Sequence, residues 1–153
     1  MKAVVLSDSH RNFSSIQDIL EQEKDAQLII HAGDVQSDVD DILEAYPRTA
    51  CAYVRGNNDF AVPNVPYDRF FSLGDTKIFL THGHRYGVKQ DLFRLFARAR
   101  ELEADICIFG HTHTAYCQQT DGIWMLNPGS TWRSYAVVQI ENGTVNIEIK
   151  QRP

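Results

Sequence analysis

Leu6-Ser7-Asp8-Ser9-His10 is the stretch whose reading decides the fold. Before it, Ala3-Val4-Val5-Leu6 is a short apolar, β-branched run of the kind that forms a buried strand. Asp8 and His10 stand two apart, so they share a face if the extended geometry continues past the strand. A carboxylate and an imidazole placed together begin a divalent-cation site. One Asp-x-His is weak evidence, but the pattern recurs. Leu28-Ile29-Ile30 runs into His31-Ala32-Gly33-Asp34, and Ala50 to Val54 into Arg55-Gly56-Asn57-Asn58-Asp59. Lys77-Ile78-Phe79-Leu80 runs into Thr81-His82-Gly83-His84, and Ile106-Cys107-Ile108-Phe109 into Gly110-His111-Thr112-His113. Ordinary loops are polar but have no preference for metal-ligating side chains. Ligands in open α/β sheets bind beyond the carboxyl ends of strands. Gly33, Gly56, Gly83 and Gly110 beside these residues are expected to let the backbone turn tightly there.

The segments between these runs set the architecture. Phe13, Ile16, Ile19 and Leu20 form a helical stripe, with Ser14 and Gln17 as a capping box. A second helix begins at Ser37, with Val39, Ile42 and Leu43 inward, and Pro47 closes it. Strand–helix–strand–helix–strand alternation implies a parallel sheet with crossover helices. Phe70–Leu73 and Lys77–Leu80 flank a hairpin turn at Gly74-Asp75-Thr76. A longer helix carries Leu92, Leu95, Phe96, Ala99 and Leu102 on one face, with Arg94, Arg98 and Arg100 off that stripe on a solvated face. Strands at Ala115–Gln119 and Ile123–Leu126, then Tyr135–Ile140 and Thr144–Ile149, form hairpins around Asp121-Gly122 and Asn142-Gly143. The fold class expected is α/β, a two-sheet β-sandwich flanked by helices, with residues 1–153 forming one domain.

Composition narrows the function classes. The chain has 153 residues, 43% hydrophobic and 23% charged, which is enough to bury a sizeable core. No apolar run reaches the roughly 20 residues needed to cross a bilayer, and no signal-peptide pattern opens the chain. The net charge of −5 gives no footprint for tracking nucleic-acid phosphates. Cys51, Cys107 and Cys117 lie in strand-like runs without metal spacing and read as buried, reduced thiols of a cytoplasmic protein. The sequence is compatible with a homo-oligomer and specifies none.

The ordered set Asp8-x-His10, Gly33-Asp34, Gly56-Asn57-x-Asp59, His82-Gly83-His84 and Gly110-His111-x-His113 resembles the calcineurin-like metallophosphoesterases, most closely their small prokaryotic phosphodiesterase branch. The resemblance runs from Lys2 to Ile149. It implies a β-sandwich flanked by helices and a dinuclear centre. By that resemblance Asp8, His10 and His113 hold one metal, Asn57, His82 and His111 hold the other, and Asp34 bridges them. Two divalent ions about 3.5–4 Å apart share a water and make it hydroxide near neutral pH. That hydroxide attacks phosphorus in line. The expected substrate is a small phosphodiester or phosphomonoester. Manganese is the first choice of metal; iron, cobalt, nickel or zinc fit the same oxygen and nitrogen donors, and magnesium fits imidazoles poorly.

Around that core several residues carry open alternatives. His31 reads as a satisfied core histidine beside a ligand turn. His84 faces either the substrate or solvent. Arg11, where the family often has glycine, either reaches a phosphate bidentately or lies on the surface. Asn127-Pro128-Gly129-Ser130 resembles a recurrent family turn, lending amides to a phosphate or serving structure alone. Asn58 stands where relatives carry histidine or, in the small branch, often cysteine. In histidine-bearing members that ring is thought to assist the leaving group, oriented by the following aspartate, here Asp59. Asparagine transfers no proton near neutral pH, which favours diesters with good leaving groups. Two rival functions share the fold. A retromer-subunit-like interaction scaffold should have lost several ligand positions, and a minor nuclease activity lacks both a capping domain and a basic track.

Overall fold

The computed structural model describes residues 1–153. Alternating apolar residues make ten strands and three α-helices in the order β1 (Lys2–Leu6), α1 (Phe13–Gln22), β2 (Leu28–His31), α2 (Gln36–Ala45), β3 (Ala50–Tyr53), β4 (Asp68–Leu73), β5 (Thr76–Thr81), α3 (Phe93–Glu101), β6 (Ile106–Ile108), β7 (Tyr116–Thr120), β8 (Ile123–Asn127), β9 (Ser134–Glu141) and β10 (Thr144–Gln151). One five-stranded sheet has the order β10-β9-β1-β2-β3 and the other β4-β5-β6-β8-β7. β1, β2 and β3 are parallel neighbours, as are β5 and β6. The expected α/β sandwich flanked by helices is the fold observed.

Period-two alternation explains the layering. Ala3, Val5, Leu28, Ile30, Ile78, Leu80, Ile106, Ile108, Ala136 and Val138 point between the sheets and form one core cluster. The intervening Val4, Leu6, Ile29, Tyr135 and Val137 face α1 and α2, meeting Ile16, Ile19, Leu20 and Ile42. On the other sheet Phe79, Cys107, Ile123 and Met125 face outward to α3, meeting Leu95 and Ala99. The strands are therefore apolar on both faces, which is why they read as continuous hydrophobic runs. No helix is long and apolar enough to cross a membrane. Arg94, Arg98 and Arg100 are exposed on α3, as its stripe predicts.

Three local expectations change. The first helix is capped by Asn12, whose side chain accepts from Ser15 N at 3.3 Å, and Ser14 instead donates to that same side chain at 2.8 Å. The second helix starts at Gln36 with no cap from its own segment, and Leu43, expected inward, turns off the face buried by Val39 and Ile42 and is 40% exposed. The helix's first amide is taken by Asp59 Oδ1 at 2.7 Å, a carboxylate from the following loop. Of the cysteines only Cys107 is buried; Cys51 and Cys117 are half-buried, and all are free thiols.

Away from the strand ends, Glu23 ties the outer layer together. It is 3% exposed and receives Lys2 Nζ at 2.7 Å, Lys150 Nζ at 2.8 Å and Tyr135 Oη at 2.8 Å. Burial alone would raise its pKa, but the hydrogen bonds from Lys150, Lys2 and Tyr135 win and hold it down at about 2, from 4.5. A depressed folded pKa contributes stability above the unfolded value, and that contribution is lost as pH falls from about 4.5 towards 2. Glu23→Gln should cost about 2 kcal/mol of folding free energy at pH 7, since both lysines are partly solvated. The difference from the parent protein should shrink below pH 4.5, where Glu23 itself becomes neutral on unfolding. Denaturant melts at pH 7 and pH 3 check this, and a pH-independent difference would show that the charge is not what matters.

Candidate metal centre

Parallel pairing brings the carboxyl ends of β1 and β2 together, and the second sheet delivers those of β5 and β6 to the same edge of the sandwich. Backbone bonds stitch these turns to one another: Asp8 N donates to Gly33 O at 3.0 Å, Ser9 N to Asp34 O at 2.9 Å, and Gly110 N to His82 O at 3.0 Å. The candidate ligands themselves take much of the turning. Asp8, His10, Asp34, His111 and His113 all have positive φ, between 47° and 69°. Left-handed backbone at non-glycine residues is sparse and concentrates at functional sites.

Gly33 also has positive φ, as expected, but Gly56 and Gly110 do not; they are there for space. A Cβ on Gly56 would overlap Asp34 Oδ1, and one on Gly110 would overlap Ser7 Oγ and lie 2.8 Å from Asp8 Oδ2. Gly56→Ala should therefore displace Asp34 and lower metal affinity at least about tenfold while the fold survives. Metal-binding calorimetry beside a thermal melt reads both, and unchanged affinity would show that Asp34 is not held where the glycine suggests.

Two groups of potential ligands come within 4.8 Å: Asp8, His10 and His113, and Asp8, Asp34 and His82. Asp8 is common to both. Its Oδ2 accepts from Ser7 Oγ at 2.7 Å and from His111 N at 3.0 Å. Its Oδ1 is fully buried with no hydrogen-bond partner, yet lies 3.3 Å from His113 Nε2, 3.8 Å from His82 Nε2 and 3.9 Å from His10 Nε2. Burial, offset in part by those two hydrogen bonds, pushes its carboxyl up to about 6. A buried carboxylate oxygen surrounded by imidazole nitrogens fits a cation, which would satisfy all of them together.

The imidazoles are prepared for that role. His82 Nδ1 donates to Ala32 O at 2.7 Å, which leaves Nε2 as the lone-pair nitrogen facing Asp34 Oδ2 at 3.7 Å and Asn57 Oδ1 at 3.0 Å. Burial holds its pKa down near 4, so it stays neutral. His10 and His113 lie with Nε2 atoms 3.2 Å apart. His111 stacks edge-on to His82 with ring centroids 5.1 Å apart. His31 is buried and engaged elsewhere: Nδ1 accepts from Gly33 N at 3.1 Å, and Nε2 meets Ser9 Oγ at 3.0 Å.

Asp34 carries a second duty. Its Oδ1 accepts from Asn58 N at 3.0 Å and its Oδ2 from Asn58 Nδ2 at 2.6 Å. Asp59 is buried, and both its oxygens are taken by backbone: Oδ1 by Gln36 N, and Oδ2 by Gly56 N at 2.7 Å and Asp34 N at 3.2 Å. It therefore fixes the Asp34 loop and leaves the Asn58 side chain to Asp34. His84 borders the centre, 5.4 Å from His82 and 6.0 Å from His111 between ring centroids. Its neighbour Tyr67 carries Arg55 over its ring at 3.8 Å and Arg85 at 4.5 Å, a cationic cluster the sequence did not announce. Arg11 is exposed. The Asn127–Ser130 turn works behind the centre: Asn127 Nδ2 donates to Gly110 O at 3.0 Å, and Ser130 Oγ to Asp8 O at 2.9 Å. Ser7, Asn127 and Ser130 are buried supports, so of the two roles open to the Asn127–Ser130 turn these contacts favour the structural one.

The family model described as the calcineurin-like phosphoesterase superfamily domain matches residues 1–149. The chain belongs to the calcineurin-like phosphoesterase superfamily. Among its relatives, the probable metallophosphoesterase YsnB of Bacillus subtilis is 36% identical, covering 96% of this chain and 89% of the relative. Phosphodiesterase MJ0936 of Methanocaldococcus jannaschii is 27% identical over 84% of this chain and 83% of its own. In structure, a predicted phosphoesterase from Streptococcus pneumoniae superposes with TM-score 0.81 at 27% identity, covering 99% and 89% of the two chains. Vps29 of Entamoeba histolytica, solved with zinc, superposes with TM-score 0.78 at 25% identity, covering 99% of each. The superfamily is metal-dependent, and the chain carries candidate metal-binding residues in the places just described.

Proposed function

We propose that the protein is a dinuclear metal-dependent phosphodiesterase in which residues 1–153 work as one domain. The observation that carries this reading is Asp8 Oδ1: buried, unpartnered, and faced by His10, His82 and His113. Asp8, His10 and His113 would hold one ion, Asn57, His82 and His111 the other, and Asp34 would lie between them. When bound, such a pair supplies Lewis acidity at phosphorus and a water of lowered pKa. Manganese is the first candidate, with iron, cobalt, nickel or zinc compatible with the donors.

The chain's own residues supply orientation. Ser7 and the His111 amide hold one oxygen of Asp8 so that the other faces the imidazoles. Ala32 O fixes the tautomer of His82, and Asp59 locks the loop that presents Asp34. Asn57, Asn58 and His113 are exposed, so a phosphate approaches from that open side. His84, backed by Arg55 and Arg85, is placed to meet its oxygens. Asn58 offers an amide N–H and no transferable proton, so the leaving group departs largely unassisted by that residue. Diesters of acidic alcohols therefore suit the site better than alkyl monoesters.

The Vps29 likeness favours a second reading, an interaction scaffold on the same fold. Because a Vps29 has been solved with zinc, metal binding alone does not separate the two. Turnover does. Chelation should abolish hydrolysis of bis(4-nitrophenyl) phosphate and manganese should restore it, with hexyl phosphate hydrolysed at least about 10²-fold more slowly. A fully metallated protein inert towards every phosphoester would establish the scaffold.

A further inference from the structure

Beside the metal centre the surface becomes apolar. The loop carrying His111 and His113 also carries Thr112 and Thr114, which with Val88, Leu92, Phe109 and Tyr116 line a recess of about 260 Å³. Val88 packs against Gly83, the residue after His82, so this recess is built onto the ligand turns themselves. Leu92 and Tyr116 are shared with a larger groove of about 500 Å³ between α3 and β7, whose other walls are Phe93, Phe96, Thr120 and Met125. Phe93 is 80% exposed, although it opens the helix beside well-buried Leu95. Volumes in this range suit a small-molecule group. The recess and the groove share a wall at Leu92 and Tyr116 and together form an apolar trough beside the loop that carries His111 and His113.

We propose that this trough binds an apolar ester group of the substrate, so that the preferred substrates are phosphodiesters carrying one large alkyl or aryl alcohol. This rests on the phosphodiesterase reading. Adjacency points to the occupant: a phosphate held at the His111–His113 loop would extend its ester group past Thr114 and Tyr116 before reaching Phe93. The Phe93 end holds only a long group, whereas Tyr116 touches short and long ones.

Binding tests this without turnover. Metal-loaded protein should bind octylphosphonate at least about tenfold more tightly than methylphosphonate, because methylenes leave water, with a more negative heat-capacity change. Phe93→Ser should remove most of that preference and leave methylphosphonate affinity unchanged; its exposure makes misfolding an unsuitable explanation of a loss. Tyr116→Ala should also weaken butylphosphonate, which Phe93→Ser should spare. Equal affinity for the octyl and methyl compounds overturns the proposal, as does a preference that survives both substitutions. A dimer in sedimentation that dissociates in Phe93→Ser also overturns it, since a second copy would then be the occupant. Phenyl and octyl phosphonates compared side by side separate aryl from alkyl preference. If the chain-length preference stands but methyl 4-nitrophenyl phosphate is not hydrolysed, the phosphodiesterase reading fails and the trough does not.

Discussion

Asp34→Ala should lower phosphodiester turnover by roughly 10³-fold, about 4 kcal/mol of barrier, and weaken both metal sites together. Asp34 faces His82 Nε2 at 3.7 Å on one side and on the other takes the backbone and side-chain N–H groups of Asn58. Its loss removes both a charge that offsets the metals and the anchor of the loop carrying Asn57. Asp34→Asn separates these duties. It keeps an acceptor for Asn58 N and tolerates the left-handed backbone, but discards the charge. A loss nearly as large in Asp34→Asn would assign the effect to charge. His84→Ala should leave metal content intact. Two fully occupied sites in Asp34→Ala, read by elemental analysis, would show that Asp34 does not bridge.

The second large effect concerns the leaving group. Asn58 Nδ2 lies 2.6 Å from Asp34 Oδ2, so the side chain reaches the centre. An imidazole there would sit where a proton is needed as the alkoxide departs. A positioned general acid contributes roughly 10²–10⁴-fold. The gain in Asn58→His should fall near the lower end, about 10²-fold and confined to substrates with poor leaving groups, because Asp59 is committed to Gly56, Asp34 and Gln36 amides and does not orient the ring. A plot of log rate against leaving-group pKa should flatten in the variant. An unchanged slope in a protein with full metal content would move proton donation to another group, His84 first.

The sandwich was legible because five apolar runs end abruptly in Asp, Asn or His, four of them beside Gly33, Gly56, Gly83 or Gly110. Those ends could be read one at a time, and parallel pairing then had to gather them at one edge. The supports were not legible. Ser7 acts on its neighbour Asp8, but Ser130 reaches Asp8 O across 122 positions, and Asn127 acts on Gly110. Local pattern carries no trace of such contacts. The family resemblance made Asp59 the orienting partner of the side chain at position 58; in the fold it caps α2 and clamps the turn at Gly56. Asp8 looked like a ligand to one metal, and its unpartnered oxygen faces both groups of ligands. The glycines suggested tight turns, whereas at Gly56 and Gly110 the requirement is room for Asp34 and Ser7. Asn12 took the cap assigned to Ser14 because the helix begins two residues earlier than the capping box implied.

As proposed, two ions held by Asp8, His10, Asp34, Asn57, His82, His111 and His113 act together on a phosphodiester. A titration of metal-free protein with manganese, following bound metal and hydrolysis of bis(4-nitrophenyl) phosphate in the same samples, tests this. Little turnover is expected at one equivalent per chain and full turnover as the second equivalent binds. Binding that saturates at one ion, or two bound ions without hydrolysis, would contradict it.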